Sequence, residues 1–508
     1  MAELASHGQQ AIRFPARWAG PAWWTLDTGQ IRSRPLDGGV LRRRARRREV
    51  ALRDAAAECP RPRGNDEQVA QTAQPNVPRE RSQRRAITRP YGREVDVAAI
   101  VLACESGGAP PPPQAERKGE VDGMTEASTP PTQVIDACAF HDWAAATDLV
   151  PYLSEGWGEL VKVENLKVKG MWQNQHPLGG IAPGAESPSG PPASDPEFVI
   201  KQLLDERGSE RVVLGHQEGI LSSALPLPFE ALAVVRALND WTLAEWLKRD
   251  DRLYGHILVV SSMPEEAAEE IRRVGEDEKF VAVSLGANGL GRPFGHPVYN
   301  PIHQAAAELG LPLVIQVGAD NVADVGGSPT PVGLNTTYGE YHTMAAAPLM
   351  PHITSFFTCG VFDLHPDLRV LLVGGGLAWL PQFIWRLDWN YKMVRRIDVP
   401  WARRRPSDYL ADHLRFTTYS IEKPPRLDQL HTMIDLIPHV EQSLMYASGY
   451  PYSDGAPASE IAAQIPERLH SRVFRDNALE FYRWSGRGTA ARAVAAVSRE
   501  EVTSGAES

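Results

Sequence analysis

Short apolar runs alternate with helical patterns from about residue 133 onward, and this alternation limits the possible folds more than any other feature of the sequence. The runs are "QVIDACAF", "RVVLG", "LYGHILVV", "FVAVSLG", "LPLVIQVG", "RVLLVGGG" and "SLMYASGYP". Continuously apolar strands separated by helices are typical of a parallel sheet that is covered on both faces. Seven or eight strand–helix units favour an α/β fold of the (β/α)8 TIM-barrel type over an open sheet.

The sequence before Met124 has a different composition. It contains "LRRRARRREV" and "GGAPPPPQ" and shows little periodicity, so residues 1–123 are predicted to form a disordered, basic and proline-rich extension. An alternative interpretation is that the native start is Met124 and that these residues are upstream sequence. The barrel is predicted to span 124–485, and the polar stretch 486–508 is predicted to be a flexible tail.

Charge and cysteine content exclude several classes of protein. A net charge of −10 gives no reason to expect nucleic-acid binding, and the basic run Arg42–Arg48 is interpreted as solvated rather than as a contact with nucleic acid or lipid. The four cysteines form no CxxC pair, which argues against structural zinc and a disulfide framework. No apolar run approaches the roughly 20 residues that span a bilayer. We therefore expect a cytoplasmic protein without a membrane partner.

Several longer stretches carry a family resemblance. They include "VIDACAFHDW", "HPVYNPIHQAAAELGLPLVIQVG", "GVFDLHPDLRVLLVGGGLAWLPQFIWRLD", "RPSDYLADHLRFTTYSIEKPPR" and "YASGYPYSD". Across about 133–485 the chain resembles the amidohydrolase superfamily, in the branch with aromatic-acid and aminocarboxymuconate-semialdehyde decarboxylases. The resemblance implies a (β/α)8 barrel with a metal, usually zinc, at the carboxyl ends of its strands. It also implies a homodimer and a small aromatic or carboxylated ligand.

The positions at which this family holds its metal carry other residues here. By resemblance they are Cys138, Phe140, Gln316, Gly374–Gly376 and Gly449. Phe140 cannot bind a metal, and the neutral amide of Gln316 is a poor zinc ligand. A catalytic zinc needs about three protein ligands, which Cys138 and Gln316 do not supply. We therefore expect no metal cofactor at these positions.

Three residues are candidates for proton transfer without a metal. His141 follows the first strand, where it forms either a relocated acid/base pair with Asp142 or the start of the next turn. Glu340 and His342 lie in a long loop after the fifth strand. In an extended segment both side chains would point to one side. The alternative is a helix cap and a loop histidine.

Other residues are candidates for ligand contact. These are Cys138, Phe140, His216, Gln316, Tyr452 and Asp454, all at or near predicted strand ends. Tyr452 also replaces the histidine that the family places after its last strand. His352 and Cys359 are interpreted as core residues, and Trp379, Trp385 and Trp389 as packing on one helix.

Three functions remain open from the sequence. The first is a metal-independent enzyme of hydrolase or decarboxylase lineage that acts on a small aromatic or carboxylated molecule. The second is a catalytically silent pseudoenzyme or scaffold that pairs with an active relative. The third is a metal enzyme with a rearranged site that uses Cys138, His141 and His342.

Overall fold

The computed structural model describes residues 133–164, 166, 176, 179–286, 290–318, 333 and 335–484. Eight parallel strands form one sheet in sequence order, as expected for a (β/α)8 barrel. The strands are β1 (Val134–His141), β2 (Ser209–His216), β3 (Leu253–Val259), β4 (Phe280–Leu285), β5 (Leu313–Gln316), β6 (Val370–Val373), β7 (Leu414–Thr417) and β8 (Leu444–Met445).

Backbone hydrogen bonds between β1 and the chain that continues β8 bring the two edges of the sheet together. The amide of Ala137 donates to the carbonyl of Tyr446 at 2.9 Å, and the amide of Gly449 donates to the carbonyl of Cys138 at 3.2 Å. The amide of Phe140 donates to Tyr450 at 2.8 Å. The barrel prediction is confirmed, and the segment 446–450 forms part of its wall.

Helices follow the strands around the outside of the barrel. They are α1 (Glu155–Glu164), α2 (Pro196–Ile200), α3 (Pro228–Trp241), α4 (Pro264–Val274), α5 (Asn300–Glu308), α6 (Tyr338–Thr343), α7 (Leu349–Thr358), α8 (Val361–Leu364), α9 (Leu380–Val394), α10 (Pro406–His413), α11 (Leu427–Asp435), α12 (Val440–Ser443), α13 (Ala458–Gln464) and α14 (Asn477–Phe481).

Local sequence explains where these helices begin. The side chain of Asp195 accepts the amides of Glu197 and Phe198, so it caps α2, and Pro196 occupies the first turn. Helix α4 has Glu265 and Glu266 in its first turn and arginines in its last, an arrangement that stabilises the helix dipole.

Apolar side chains form two buried clusters, one on each side of the sheet. The smaller cluster fills the barrel interior with residues such as Ile135, Phe140, Val281 and Val373. The larger one lies between the strands and the surrounding helices. The interior is therefore packed, which leaves the carboxyl ends of the strands as the place for a ligand.

The structure differs from the sequence interpretation at helix α9. Trp379 is half-buried and contacts Phe383 and Phe416, but Trp385 and Trp389 are each 53% exposed, so the core interpretation is wrong for these two. His352 is buried as expected, whereas Cys359 is only partly buried. The predicted extension 1–123 and tail 486–508 lie outside the described residues. Among the helices that the structure does describe, none has both the length and the apolarity to cross a bilayer.

Candidate active site

A cavity of about 500 Å³ opens at the carboxyl ends of the strands. We call it the mouth cavity. Its walls come from the segments that follow β2, β5, β6, β7 and β8 and from helix α6. Residues from distant parts of the chain, such as Glu218, Gln316, Tyr419 and Asp454, thus face one space. A volume of this size suits a small-molecule ligand.

Aromatic rings pack at the base of the mouth cavity. Tyr419 and Tyr452 line the cavity, and the fully buried ring of Phe140 meets both of them edge to face. The ring centroids of Phe140 lie 5.9 Å from Tyr419 and 5.5 Å from Tyr452. Phe140 itself is not a lining residue, so this candidate supports the ligand site from below rather than forming its wall.

Gly449 makes room for one of these rings. Its φ is +63°, in the left-handed region, and a Cβ atom at this position would collide with the ring of Tyr419. The place that the resemblance gives to an acidic side chain is therefore filled by an aromatic ring from the neighbouring strand.

His342 and Asp454 form an ion pair on the wall of the mouth cavity. Nε2 of His342 lies 3.1 Å from Oδ2 of Asp454, which also accepts a hydrogen bond from the hydroxyl of Ser420 at 3.2 Å. The phenol of Tyr419 donates to the same carboxylate. The ring of Tyr338 stacks on His342 with a centroid separation of 5.4 Å, so both partners are held in position.

The pKa values of His342 and Asp454 shift in opposite directions. The hydrogen bond to Asp454 raises the pKa of His342, although partial burial opposes the change. Burial pushes the pKa of Asp454 upward, but hydrogen bonds from His342, Tyr419 and Ser420 outweigh it and hold that pKa below its usual value. Both pKa shifts therefore favour the imidazolium of His342 and the carboxylate of Asp454.

Two further acids, Asp142 and Glu218, lie in the segments that follow β1 and β2. Glu218 lines the mouth cavity, and burial raises its pKa. Asp142 is almost fully buried, does not line the cavity, and accepts the amide of Trp143 at 2.9 Å. Burial raises the pKa of Asp142 to about 8, and the charge of Glu218 contributes in the same direction. Both carboxyl groups thus shift toward the neutral form.

His141 does not reach the mouth cavity. Its Nδ1 lies 2.7 Å from the carbonyl of Gly215, its Nε2 lies 3.0 Å from the hydroxyl of Thr242, and its ring stacks on Trp241. Burial lowers its pKa to about 4. With both nitrogens engaged and the ring behind the sheet, His141 has the contacts of a core histidine.

Glu340 and His342 are not brought together as a pair. The segment is the helix α6 rather than an extended strand, and Glu340 accepts the amides of Thr336 and Thr337 in a capping box. Glu340 is exposed and does not line the mouth cavity. Of the two, His342 alone faces the cavity, where its partner is Asp454.

The other predicted contact residues divide into two groups. Gln316, Tyr452 and Asp454 line the mouth cavity. Cys138 and His216 are fully buried away from its lining, and burial raises the pKa of the Cys138 thiol and lowers that of His216. Neither ring nitrogen of His216 has a hydrogen-bond partner among the described residues.

Several cavity residues were missed from the sequence. Tyr419 and Ser420 follow β7, a four-residue strand that was not among the apolar runs, and Glu218 and Tyr341 lie in loop or helix segments beside candidates that were named. The available signal for Tyr419 and Ser420 was the polar "TTYS" that follows "LRF", since polar residues at a strand end face the barrel mouth.

The positions to which the resemblance assigns the family's metal ligands offer few side-chain donors in this chain. Cys138 is fully buried and does not line the mouth cavity, Phe140 offers no donor, and the segment Gly374–Gly376 has only its backbone. Within the described part of the chain, no group of three or more His, Cys, Asp or Glu side chains is arranged to hold a metal.

Comparison with known proteins gives a consistent family. The model of the family described as amidohydrolase matches residues 230–484. A gamma-resorcylate decarboxylase from Rhodococcus jostii is 27% identical over 309 residues, which cover 57% of this chain and 88% of that protein. The gamma-resorcylate decarboxylase of a Rhizobium species is 25% identical over 299 residues, which cover 56% of this chain and 86% of that protein.

Solved structures share the barrel. A 2,6-dihydroxybenzoate decarboxylase from Rhizobium has a TM-score of 0.50 and 20% identity, over 70% of this chain and 100% of that one. A 5-carboxyvanillate decarboxylase from Novosphingobium aromaticivorans, complexed with manganese and a nitrobenzoic acid, has a TM-score of 0.50 and 18% identity, over 69% and 96% of the two chains. At these identities the likeness concerns the fold. The chain belongs to the amidohydrolase family.

Proposed function

We propose that this barrel binds a small aromatic acid in the mouth cavity and catalyses its decarboxylation with His342 as the proton donor. The observation that carries the proposal is the ion pair of His342 and Asp454 at 3.1 Å on the cavity wall. The names of the relatives, which are decarboxylases of resorcylate, support the substrate class.

The chemistry needs one proton at the ring carbon that bears the carboxylate. The imidazolium of His342 donates it, the bond between the ring and the carboxylate breaks, and its electron pair stays with the ring. Carbon dioxide leaves, and neutral His342 regains a proton from water. Because Nε2 faces Asp454, the proton that reaches the ligand is the one on Nδ1.

Asp454 acts through His342 and is a positioning residue in this proposal. Its carboxylate fixes the orientation of the imidazole and favours the charged ring, as the opposite pKa shifts of the two groups indicate. Ser420 and Tyr419 hold the carboxylate in turn. The pair is thus assembled before a ligand arrives, which is the condition for efficient proton transfer.

Recognition of the ligand uses the remaining walls. Tyr338, Tyr341, Tyr419 and Tyr452 offer ring faces and hydroxyl groups, and Gln316 offers an amide. Among the described lining residues there is no lysine or arginine, so the imidazolium of His342 supplies the positive charge for a carboxylate. Burial shifts Glu218 toward its neutral form, which reduces repulsion of an anionic ligand.

No step of this proposal passes through a metal. The relative from Novosphingobium was solved with manganese. The scarcity of side-chain donors at Phe140, Gly374–Gly376 and Gly449, where the resemblance implies metal ligands, supports a reaction without a metal in this chain. We propose that the zinc or manganese position of the family is not used here.

A panel of hydroxylated benzoates tests the proposal, with carbon dioxide release as the readout. The variant His342→Gln is expected to lose turnover by about 100-fold or more, because general acid catalysis typically contributes that much. His431→Gln is the matched control, since His431 bonds the carbonyl of Gln464 and does not line the cavity. Turnover that is equal in both variants would contradict the proposal.

A second candidate function is ligand binding without turnover. Phe140, Gln316 and Gly449 favour this function, because they occupy positions where the resemblance implies metal-binding or proton-transferring side chains. Thermal stabilisation by a hydroxybenzoate that is lost in His342→Gln, with no carbon dioxide release from any acid in the panel, would support this function instead.

A further inference from the structure

Gln316 is a polar residue in an apolar part of the barrel wall. It is the last residue of β5, next to Val373 of β6, and only 8% of it is exposed. Val314, two residues earlier and therefore on the same face of the strand, belongs to the apolar cluster inside the barrel. Because Gln316 also lines the mouth cavity, its side chain lies between the packed interior and the space for a ligand.

The carboxamide of Gln316 makes no hydrogen bond with any described residue, and its polar atoms remain accessible from the mouth cavity. Buried side-chain amides nearly always have a hydrogen-bond partner, because an unpaired amide loses its bonds to water on folding. A carboxamide offers two donors on its nitrogen and an acceptor on its oxygen. A group held in the mouth cavity is therefore the partner within reach of Gln316.

The charged side chains of the mouth cavity limit the charge of its ligand. Among the described lining residues, the histidines and acids are His176, Glu218, His342 and Asp454, and there is no lysine or arginine. While Asp454 is ionised, the net charge of these four groups is at most +1, with both histidines charged and Glu218 neutral. That charge balances one carboxylate of a ligand. A second carboxylate brought into the cavity from water would stay unpaired, which is costly.

We propose that Gln316 determines specificity: its carboxamide binds an uncharged hydrogen-bonding substituent of the ligand, and the site accepts aromatic monocarboxylates but not dicarboxylates. A hydroxyl group suits Gln316, since it can donate to the amide oxygen or accept from the amide nitrogen. A carboxylate in the same place would be an unpaired charge beside a neutral amide and the interior apolar cluster. The inference rests on the proposed function, because it concerns the ligand of the same cavity, and it adds the charge that this ligand carries.

Calorimetric titration of the full chain with paired acids tests this specificity without requiring turnover. The meta- and para-hydroxybenzoates are each paired with the benzene dicarboxylate of the same substitution pattern, and benzoate is the common reference. The members of a pair differ in whether the second substituent is neutral or charged. In each pair the wild-type chain is expected to bind the hydroxybenzoate at least about 10-fold more tightly, because the second carboxylate gains no partner.

Two variants at position 316 separate the effect of the amide from the effect of charge. Gln316→Met keeps the length of the side chain without its amide, so the preference for the tighter-binding hydroxybenzoate over benzoate should fall by about 5-fold. Gln316→Lys adds a positive charge and should increase the affinity for a dicarboxylate by at least about 10-fold.

Gln304→Lys is the matched control, since Gln304 is exposed, bonds Glu308 and does not line the mouth cavity. It should leave every affinity unchanged. Circular dichroism checks that each variant is folded, and ratios of affinities within one variant cancel any general loss of binding.

Three results would overturn the inference. The first is a dicarboxylate that binds the wild type as tightly as its paired hydroxybenzoate. The second is a set of affinity ratios that stays the same in Gln316→Met and Gln316→Lys, and the third is a wild-type chain that binds none of these acids. The expected affinities without release of carbon dioxide would refute the decarboxylation alone and leave the specificity of Gln316 standing. Release of carbon dioxide with equal affinities within each pair would refute the specificity alone.

Discussion

The ring of Tyr419 lies against Gly449 at the point where any other residue would place its Cβ atom. The two residues come from neighbouring parts of the barrel wall, after β7 and β8. Tyr419 can approach the mouth cavity from this direction because position 449 has no side chain. Its phenol then reaches Asp454, which pairs with His342. The glycine at position 449 and the assembly of the His342–Asp454 pair are thus parts of one arrangement.

Gly449→Ala is expected to lower the free energy of unfolding by about 2–5 kcal/mol. About 1–2 kcal/mol of this comes from a non-glycine residue in the left-handed region, and about 1–3 kcal/mol from overpacking against Tyr419. Urea denaturation measures the loss. Gly291→Ala is the control, since its φ is +60° and no atom lies within 4 Å of the added Cβ. Equal losses in the two variants would mean that Tyr419 does not occupy the space.

Asp454→Asn is expected to lower the pKa of His342, because the hydrogen bond to the carboxylate is what raises it and partial burial remains to lower it. NMR titration of the His342 ring measures the change. Glu340→Gln should leave the titration as it is, since Glu340 caps α6 and has no bond to His342. If the pKa of His342 is the same in Asp454→Asn as in the wild type, the two side chains do not form this hydrogen bond in solution.

The same pair predicts a window of pH for its contribution to stability. Since the pKa of His342 is raised above 6.5, its part is fully present below pH 6.5 and is lost as the pH rises through the raised value. The pKa of Asp454 is held below 3.8, so its part is lost only as the pH falls through that lowered value. We expect the difference in unfolding free energy between wild type and Asp454→Asn to be about 1 kcal/mol or less, because the pair is partly exposed.

Acid should destabilise the barrel through its buried histidines. Burial lowers the pKa of His141 to about 4 and that of His256 to about 3, and lowers that of His216 well below its usual value. In the unfolded chain these groups take up protons below about pH 6.5, which the folded chain does not. Each therefore costs up to about 1.4 kcal/mol of stability per pH unit between pH 6.5 and its lowered pKa.

The variant His216→Phe tests this effect, because neither ring nitrogen of His216 has a described partner to lose. Its unfolding free energy relative to wild type should improve steadily as the pH falls from 6.5 toward 4. A constant difference across that range would show that His216 takes up its proton in the folded state.

Metal analysis of the protein as purified should give well under one equivalent of zinc or manganese. The described residues offer no group of three suitable side chains, and Phe140 and the Gly374–Gly376 segment provide no side-chain donors. Phe140→His alone is expected to leave the metal content unchanged, since it adds one donor to a site that lacks the others. Stoichiometric metal in the wild-type chain would contradict this expectation.

The fold was readable from the sequence because strands buried on both faces need continuous apolar runs, and seven of the eight strands have them. Strand β7 was not recognised because its segment, Leu414–Thr417, contains the polar residues Arg415 and Thr417. Because β7 was not recognised, Tyr419 and Ser420, which follow it, were not identified as candidate site residues. The interpretation of Trp385 and Trp389 as core failed because a helix pattern shows that a face is apolar but does not show what covers it.

The candidate site was only partly readable. Gln316, His342, Tyr452 and Asp454 were named and do line the cavity, because strand ends and the loops after them meet at one face of a barrel. The face of the strand on which a side chain lies was harder to predict. Phe140 and His141 are adjacent in β1, and they fall on opposite faces of the strand. The role of Glu340 could have been predicted, since Thr337 three residues before it completes a capping box.

In the proposed reaction, proton transfer in the mouth cavity depends on His342 and needs no metal. The most direct test is the pH dependence of hydroxybenzoate decarboxylation by the wild-type chain in the presence of a strong chelator. Activity is expected to persist with the chelator, to fall as the pH rises through the raised pKa of His342, and to be absent in His342→Gln. Activity that the chelator abolishes, that manganese restores and that His342→Gln retains would contradict the account.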